Sequence, residues 1–252
     1  MRGCDQPVRF PGNLAEEAIL RELERLEFSS AQLPLSVVHL HKFSSLLHAP
    51  ILELDRIVRR VECDPLLAVS VLRLVADELA GVDQVRISDC IVIAGRDRLL
   101  ALAESENFAL AGIPAIDEFA ERSRIFSLIA SRLAAHTGGV DPAAARLAGL
   151  LHALGEIPIL LTGRCPDHYL PVTIAVWGKR LASSWRLPLT LVSAIAAYDM
   201  QVCEGTLDPM LLVIGAARRL VNYQVLEEAP PAFVLLDREE RTSEAARCSR
   251  FN

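Results

Sequence analysis

Along most of this chain apolar residues recur at spacings of three and four, the period of a helix packed on one face. Residues 14–28, "LAEEAILRELERLEF", put Ile19, Leu23 and Leu26 on one side, with Glu17 and Arg21 as an acid-before-base pair four residues apart. "LPLSVVHLHKFSSLL" at 33–47 predicts a second helix with Pro34 near its start. "LELDRIVRRVEC" continues helically to Asp64-Pro65, where Asp64 can cap the next helix and Pro65 can take its first position. That helix, running to about Ala80 and ended by Gly81, is apolar on most sides and is therefore expected to be buried. Ser88 can cap "DCIVIAGRDRLLALAE", within which Gly95 either kinks the helix or admits a close backbone.

Gly112 and Pro114 then interrupt the pattern and place a lobe boundary near 106–115. Helices are expected over 116–137, 142–155, 170–184, 188–200 and 208–226, two of them opened by Asp141-Pro142 and Asp208-Pro209. The Asp-Pro starts do not recur at a fixed period, so no repeat architecture is implied. Residues 1–29 read as a loose lead-in plus an amphipathic helix, 30–226 as one helical domain (30–110 and 111–226 its two lobes), and 227–252 as a charged, weakly ordered tail.

Composition sharpens this all-α reading. Hydrophobic residues make up 52% and aromatics 5%, so the core must come from Leu, Ala, Val and Ile, a palette suited to closely packed helices. The net charge of −6 repels polyanions and argues against a nucleic-acid partner, because no strong local basic patch offsets it. The six cysteines form no C-x-x-C pair and no zinc spacing, which fits free thiols in the cytoplasm. The most apolar stretch, "LAGLLHALGEIPILLTG", carries His152, Glu156 and Pro158, which speaks against a membrane span.

Several separated motifs resemble those of the HDOD domain, a non-catalytic relative of the HD-superfamily phosphohydrolases. They are "LPLSVVHLHKF", "VECDPLLAVSVLRLVA", "CIVIAG", "FAERSRIFSLIASRLA", "LAGLLHALGEI" and "GKRLASSWRLPLTLVSAIAAY", and together they span about residues 30–200. The resemblance implies an HD-like two-lobed helical bundle and a place in bacterial signal transduction. Carried over residue by residue, it puts Arg122 where the family's F-W-x-H-S motif has His, and Ala153 where His-Asp has Asp. Glu156 falls where Leu-Gly-Lys has Lys, Ile174 on a further His, and Ala197 and Tyr198 on the closing His-His. Ala76-Asp77 stands where the family has Asn-Ser.

Only His152 survives of the remnant motif His152, Ala153. One imidazole among Ala, Ile and a guanidinium cannot build a catalytic divalent site, and no replacement carboxylate is evident at those positions. An isolated helical His beside Leu151 and Leu154 reads as a hydrogen-bonded core residue. His39 and His41, two apart, cannot chelate one ion from a helix, and Asp167-His168 reads as turn chemistry.

The expectation is thus a non-enzymatic adaptor with no cofactor and no metal. Its partners would be other signalling proteins, with a homodimer also compatible, and neither nucleic acid nor membrane. The candidate contact surface is an inter-lobe patch of Arg96, Arg98, Arg122 and Arg124, suited to carboxylates or phosphate, although charge runs are more often solvated faces. The apolar face of the first helix is the second choice of surface. Two alternatives stand beside this reading: a degenerate metal-dependent phosphohydrolase and a sensor holding a nucleotide in the cleft.

Overall fold

The computed structural model describes residues 14–27, 33, 35, 37–104, 114–199 and 208–225. The expected lead-in, Pro34, most of the lobe boundary and the tail lie outside them. Among the described residues the regular structure is entirely helical: α1 (Leu14–Glu27), α2 (Val37–His48), α3 (Leu54–Val61), α4 (Pro65–Leu74), α5 (Ile87–Glu104), α6 (Pro114–Thr137), α7 (Pro142–Leu151), α8 (Ile157–Leu161), α9 (Pro171–Ser184), α10 (Leu189–Ala196) and α11 (Pro209–Val225). Short 3-10 turns occupy Leu154–Glu156, Pro166–His168 and Ala197–Asp199.

The Asp-Pro signals work through their side chains. Asp64 Oδ1 accepts from the amides of Leu66 and Leu67 at 2.9 and 3.1 Å, Asp141 Oδ1 from Ala143 at 3.4 Å, and Asp208 Oδ1 from Met210 at 2.8 Å. Ser88 does not cap. The helix already begins at Ile87, and the Ser88 hydroxyl bonds to Asp89 instead. Gly95 takes φ +70° and ψ 166° and breaks α5 into two segments, and a Cβ there would meet nothing within 4 Å. The glycine therefore serves the kink and not a close approach. Two expected helices are shorter than their hydrophobic runs. α4 stops at Leu74, because Val75 leaves helical geometry, and the run 142–155 ends at Leu151 before tightening into the 3-10 turn.

Helices α2 to α5 form the first lobe and α6 to α11 the second, with α6 packed along α7, α9 and α10 side by side, and α11 against α6. The first helix does not precede this domain as a separate element. It folds back onto α8 and α9 of the second lobe, burying Ile19, Leu23 and Leu26 completely. Trp185 Nε1 donates to Leu26 O at 2.7 Å, and Arg180 pairs with Glu27. That face is core, so it is no surface for a partner.

The lobes meet where α4 touches α6 and α7. Arg86 Nε reaches Asp141 Oδ2 at 2.5 Å, Arg146 reaches Glu62 at 3.1 Å, Arg186 reaches Asp77 at 2.9 Å, and the Arg73 guanidinium lies 5.7 Å from the Trp185 ring centre. The stretch Pro142–Leu161 is long and apolar enough to cross a membrane, yet 83% of its 18-residue apolar window is buried inside the protein, within the second lobe.

Candidate functional site

Glycines set the geometry at the end of α7. A Cβ on Gly149 would sit 2.9 Å from Ala130 Cβ and 3.0 Å from Ser127 Cα, so α7 can lie this close to α6 only with glycine there. Gly155 is tighter still: its Cβ would fall 1.9 Å from the Ile174 carbonyl oxygen of α9. These approaches press the turn carrying His152 and Glu156 between α6 and α9.

His152 follows α7 directly. Its ring stacks on Phe126 with centroids 3.6 Å apart and planes 10° from parallel, and Nδ1 lies 2.7 Å from Gly149 O. A carbonyl can only accept, so Nδ1 carries the proton and Nε2 is the bare nitrogen. Burial pushes the imidazole pKa down to about 3, and the positive charges of Arg218 and Arg122 act in the same direction against the Gly149 hydrogen bond. Although a small part of the residue meets solvent, the enclosed ring is neutral at any physiological pH.

Glu156, 3% exposed, lies at the centre of the site. Its Oε2 accepts from Arg122 Nη2 at 2.6 Å and its Oε1 from the Tyr198 hydroxyl at 2.8 Å. Burial raises the Tyr198 pKa, and the Glu156 charge it faces raises it further, so the phenol keeps its proton and donates it. The Arg218 guanidinium of α11 sits 3.9 Å from the Tyr198 ring centre, a cation-π distance, and its Nη1 is buried without a partner among the described residues. Tyr198 in turn faces His152, their ring centroids 6.0 Å apart.

Of the motif positions, the one at 156 brings a carboxylate into the site, four residues after His152, where it is held by the guanidinium that stands at 122 and by the Tyr198 hydroxyl. The signal was available as a reciprocal pair, an acid where the motif has Lys and a base elsewhere. Arg218 lies beyond the motif region, and nothing local marked it. Ala153, Ile174 and Ala197 are all buried, lining the site with small or apolar surface.

The donor set does not suit the divalent ion that an HD site implies. It offers one imidazole nitrogen and one carboxylate already held by Arg122 and Tyr198, with two guanidinium charges beside them. Among the described residues no group of three or more His, Cys, Asp or Glu is placed to share an ion.

The four arginines proposed as a patch each have an internal partner. Arg96 donates to Ala49 O at 3.3 Å and Arg98 to Glu78 at 2.8 Å within the first lobe, while Arg124 makes two 2.8 Å bonds to Glu121 and Arg122 holds Glu156 in the second. Arg122, itself largely exposed, is therefore the outer partner of the buried Glu156. Reversing its charge would set a carboxylate against Glu156 and disturb the fold. His39 is also engaged, its Nδ1 3.1 Å from the capping Asp64, and Asp167 and His168 sit exposed in the 3-10 turn.

A sequence profile of the HDOD domain matches residues 33–173, more than half of the chain. Two solved structures of the MmoQ response regulator from Methylococcus capsulatus strain Bath share the fold. One, a fragment of residues 20–298, is 17% identical with a TM-score of 0.59, covering 82% of this chain and 90% of its own. The other is 15% identical with a TM-score of 0.61, covering 81% and 92%. No curated protein matches.

Proposed function

Because this chain belongs to the HDOD domain family, we propose that it is a non-enzymatic regulatory protein of bacterial signal transduction, acting in the cytoplasm by contact with other proteins. The observation that carries this reading is the state of Glu156. The carboxylate at the motif's Lys position is held on one oxygen by Arg122 and on the other by Tyr198, and the guanidinium charges beside it oppose a cation, while the Asp of His-Asp is replaced by Ala153. The likeness of fold to a protein described as a response regulator supports a signalling context.

Metal analysis after dialysis against Mn, Mg, Fe and Zn, combined with turnover of phosphate mono- and diesters, tests the absence of chemistry. Substoichiometric metal and no turnover are expected, in the wild type and in Ala153→Asp, since one restored ligand leaves the guanidinium charges in place. A firmly held dinuclear centre, or turnover in either protein, would overturn the reading. Capture of a dominant regulator by the tagged chain tests the partner half.

A second reading is favoured by Arg218, whose buried Nη1 lacks a hydrogen-bond partner among the described residues while the guanidinium lies over the Tyr198 ring: a sensor holding a nucleotide there. It predicts a rise in melting temperature with a nucleotide that Arg218→Ala abolishes.

A further inference from the structure

Helix α11 carries two apolar stripes and the core uses one of them. Met210, Val213, Ile214 and Ala217 are buried. On another side Pro209, Leu212, Ala216 and Leu220 recur at spacings of three and four and, with Leu133 and Thr137 of α6, line an open groove of about 690 Å³. Leu212 is 40% exposed, a large side chain left to water along a groove that a ligand-sized body would fill. Arg219 stands on the rim near the end of α11, and no ion pair among the described residues involves it.

The sequence that follows α11 has a segment of matching character. After "LEEAPP" comes "AFVLL" at 232–236, the only run of five apolar residues beyond the helix, and then "DREER". Pro230 and Pro231 cannot continue a helix and favour an extended chain, which suits a reversal of direction after α11. Lengths agree: Pro209 and Leu220 are about 17 Å apart along the helix axis, and five extended residues span about 17 Å. Reach also agrees, because eight residues from Val225 to Phe233 extend to roughly 26 Å while Leu212 lies about 20 Å back along α11. Glu227 and Glu228 follow α11 in the sequence and Arg219 stands on the groove's rim, so opposite charges are available where a returning segment would enter.

We propose that the groove between α6 and α11 is a docking site for an extended apolar segment, and that its occupant is this chain's own residues 232–236. The inference is independent of the signalling role, since it rests on α11, the groove and the sequence that follows.

Hydrogen exchange on the full chain tests it. Amides of 233–236 should exchange at least tenfold more slowly than in a free peptide of the same sequence, and Leu212→Glu should return them to the free rate. That substitution alters a side chain already partly in water, and circular dichroism checks that the fold persists. In the reciprocal variant, Phe233→Ser with Leu235→Ser, an apolar fluorescent dye should bind the vacated groove, and adding Leu212→Glu should remove the dye signal. Unprotected amides in the wild type, or protection that survives Leu212→Glu, would overturn the proposal. So would protection that appears only at high concentration together with a dimer mass, which would make a second copy the donor of the segment.

Discussion

The Tyr198 hydroxyl donates to Glu156 Oε1 at 2.8 Å while Arg122 holds the other oxygen, so one buried carboxylate ties α6, the 154–156 turn and the 197–199 turn together. Its side chain is 4% exposed and that of Arg122 is 56% exposed, which makes the pair unequal. Losing the arginine leaves a buried anion short of a donor, whereas losing the acid leaves a cation that water can reach. Arg122→Met should therefore lower stability by about 1–3 kcal/mol, and adding Glu156→Leu should recover part of that loss. Urea unfolding midpoints of the three proteins check the order. A further drop on adding Glu156→Leu would mean that the carboxylate stabilises the site by some other contact.

His152 gives the protein a specific acid sensitivity. Its folded pKa of about 3 lies below the ordinary 6.5, so between those values the unfolded chain binds a proton that the folded chain refuses. Stability from this group is complete above pH 6.5 and is lost as pH falls towards 3, at about 1.4 kcal/mol per pH unit. From pH 7 to pH 5 the loss is about 2 kcal/mol. In His152→Gln that slope should vanish, so wild type and variant should converge in stability on acidification. Parallel unfolding free energies at pH 7, 6 and 5 would show that His152 is protonated in the folded protein after all.

What could be read from the sequence was local. Asp64-Pro65, Asp141-Pro142 and Asp208-Pro209 announce helix starts because the cap and the helix it serves are adjacent residues. The stripe Ile19, Leu23, Leu26 was legible as a buried face, but not what buries it, since Leu26 meets Trp185 across 159 residues. Hydrophobic runs also overstated α4 and α7, because turns and 3-10 segments bury apolar residues as well as helices do. The site was half legible. The motif located His152, Ala153, Arg122, Glu156 and Tyr198, while the hydrogen bonds that join them, and Arg218 beside Tyr198, come only from the fold.

Gly155 should be among the least replaceable residues of the second lobe. Its missing Cβ would lie 1.9 Å from Ile174 O and 2.8 Å from Gly178 N, and both are backbone atoms that cannot swing aside. Gly155→Ala must push the 154–156 turn off α9 and carry Glu156 with it. A loss of about 1–3 kcal/mol is expected from overpacking, with the Tyr198 and Arg122 contacts weakened in the same variant. At Gly163 a Cβ would meet nothing within 4 Å but φ is +70°, so Gly163→Ala reports backbone strain without crowding. Unchanged stability in Gly155→Ala, with the Tyr198 and Arg122 contacts kept, would remove close approach as the explanation.

Helices α8 and α9 end in the same motif, built once with glycine and once without. After α8, Gly163 at φ +70° lets its amide reach Leu160 O and the next amide reach Ile159 O, at 3.0 and 3.3 Å. After α9, Arg186 does the same at φ +54°, its amide on Ser183 O at 3.1 Å and that of Leu187 on Ala182 O at 3.0 Å. A side chain in the left-handed region is strained where glycine is not. What Arg186 gains in return is an ion pair with Asp77 in which the side chains are 75% and 82% exposed, an interaction that water and salt leave weak. Strain should outweigh the pair. Arg186→Gly is therefore expected to stabilise the protein by about 0.5–1 kcal/mol, with Arg186→Asn between glycine and the wild type and Arg186→Val below it. Urea midpoints for the series decide the matter, and a loss of stability in Arg186→Gly that is largest at low salt and shrinks as salt is added would make the Asp77 pair a working link between the lobes.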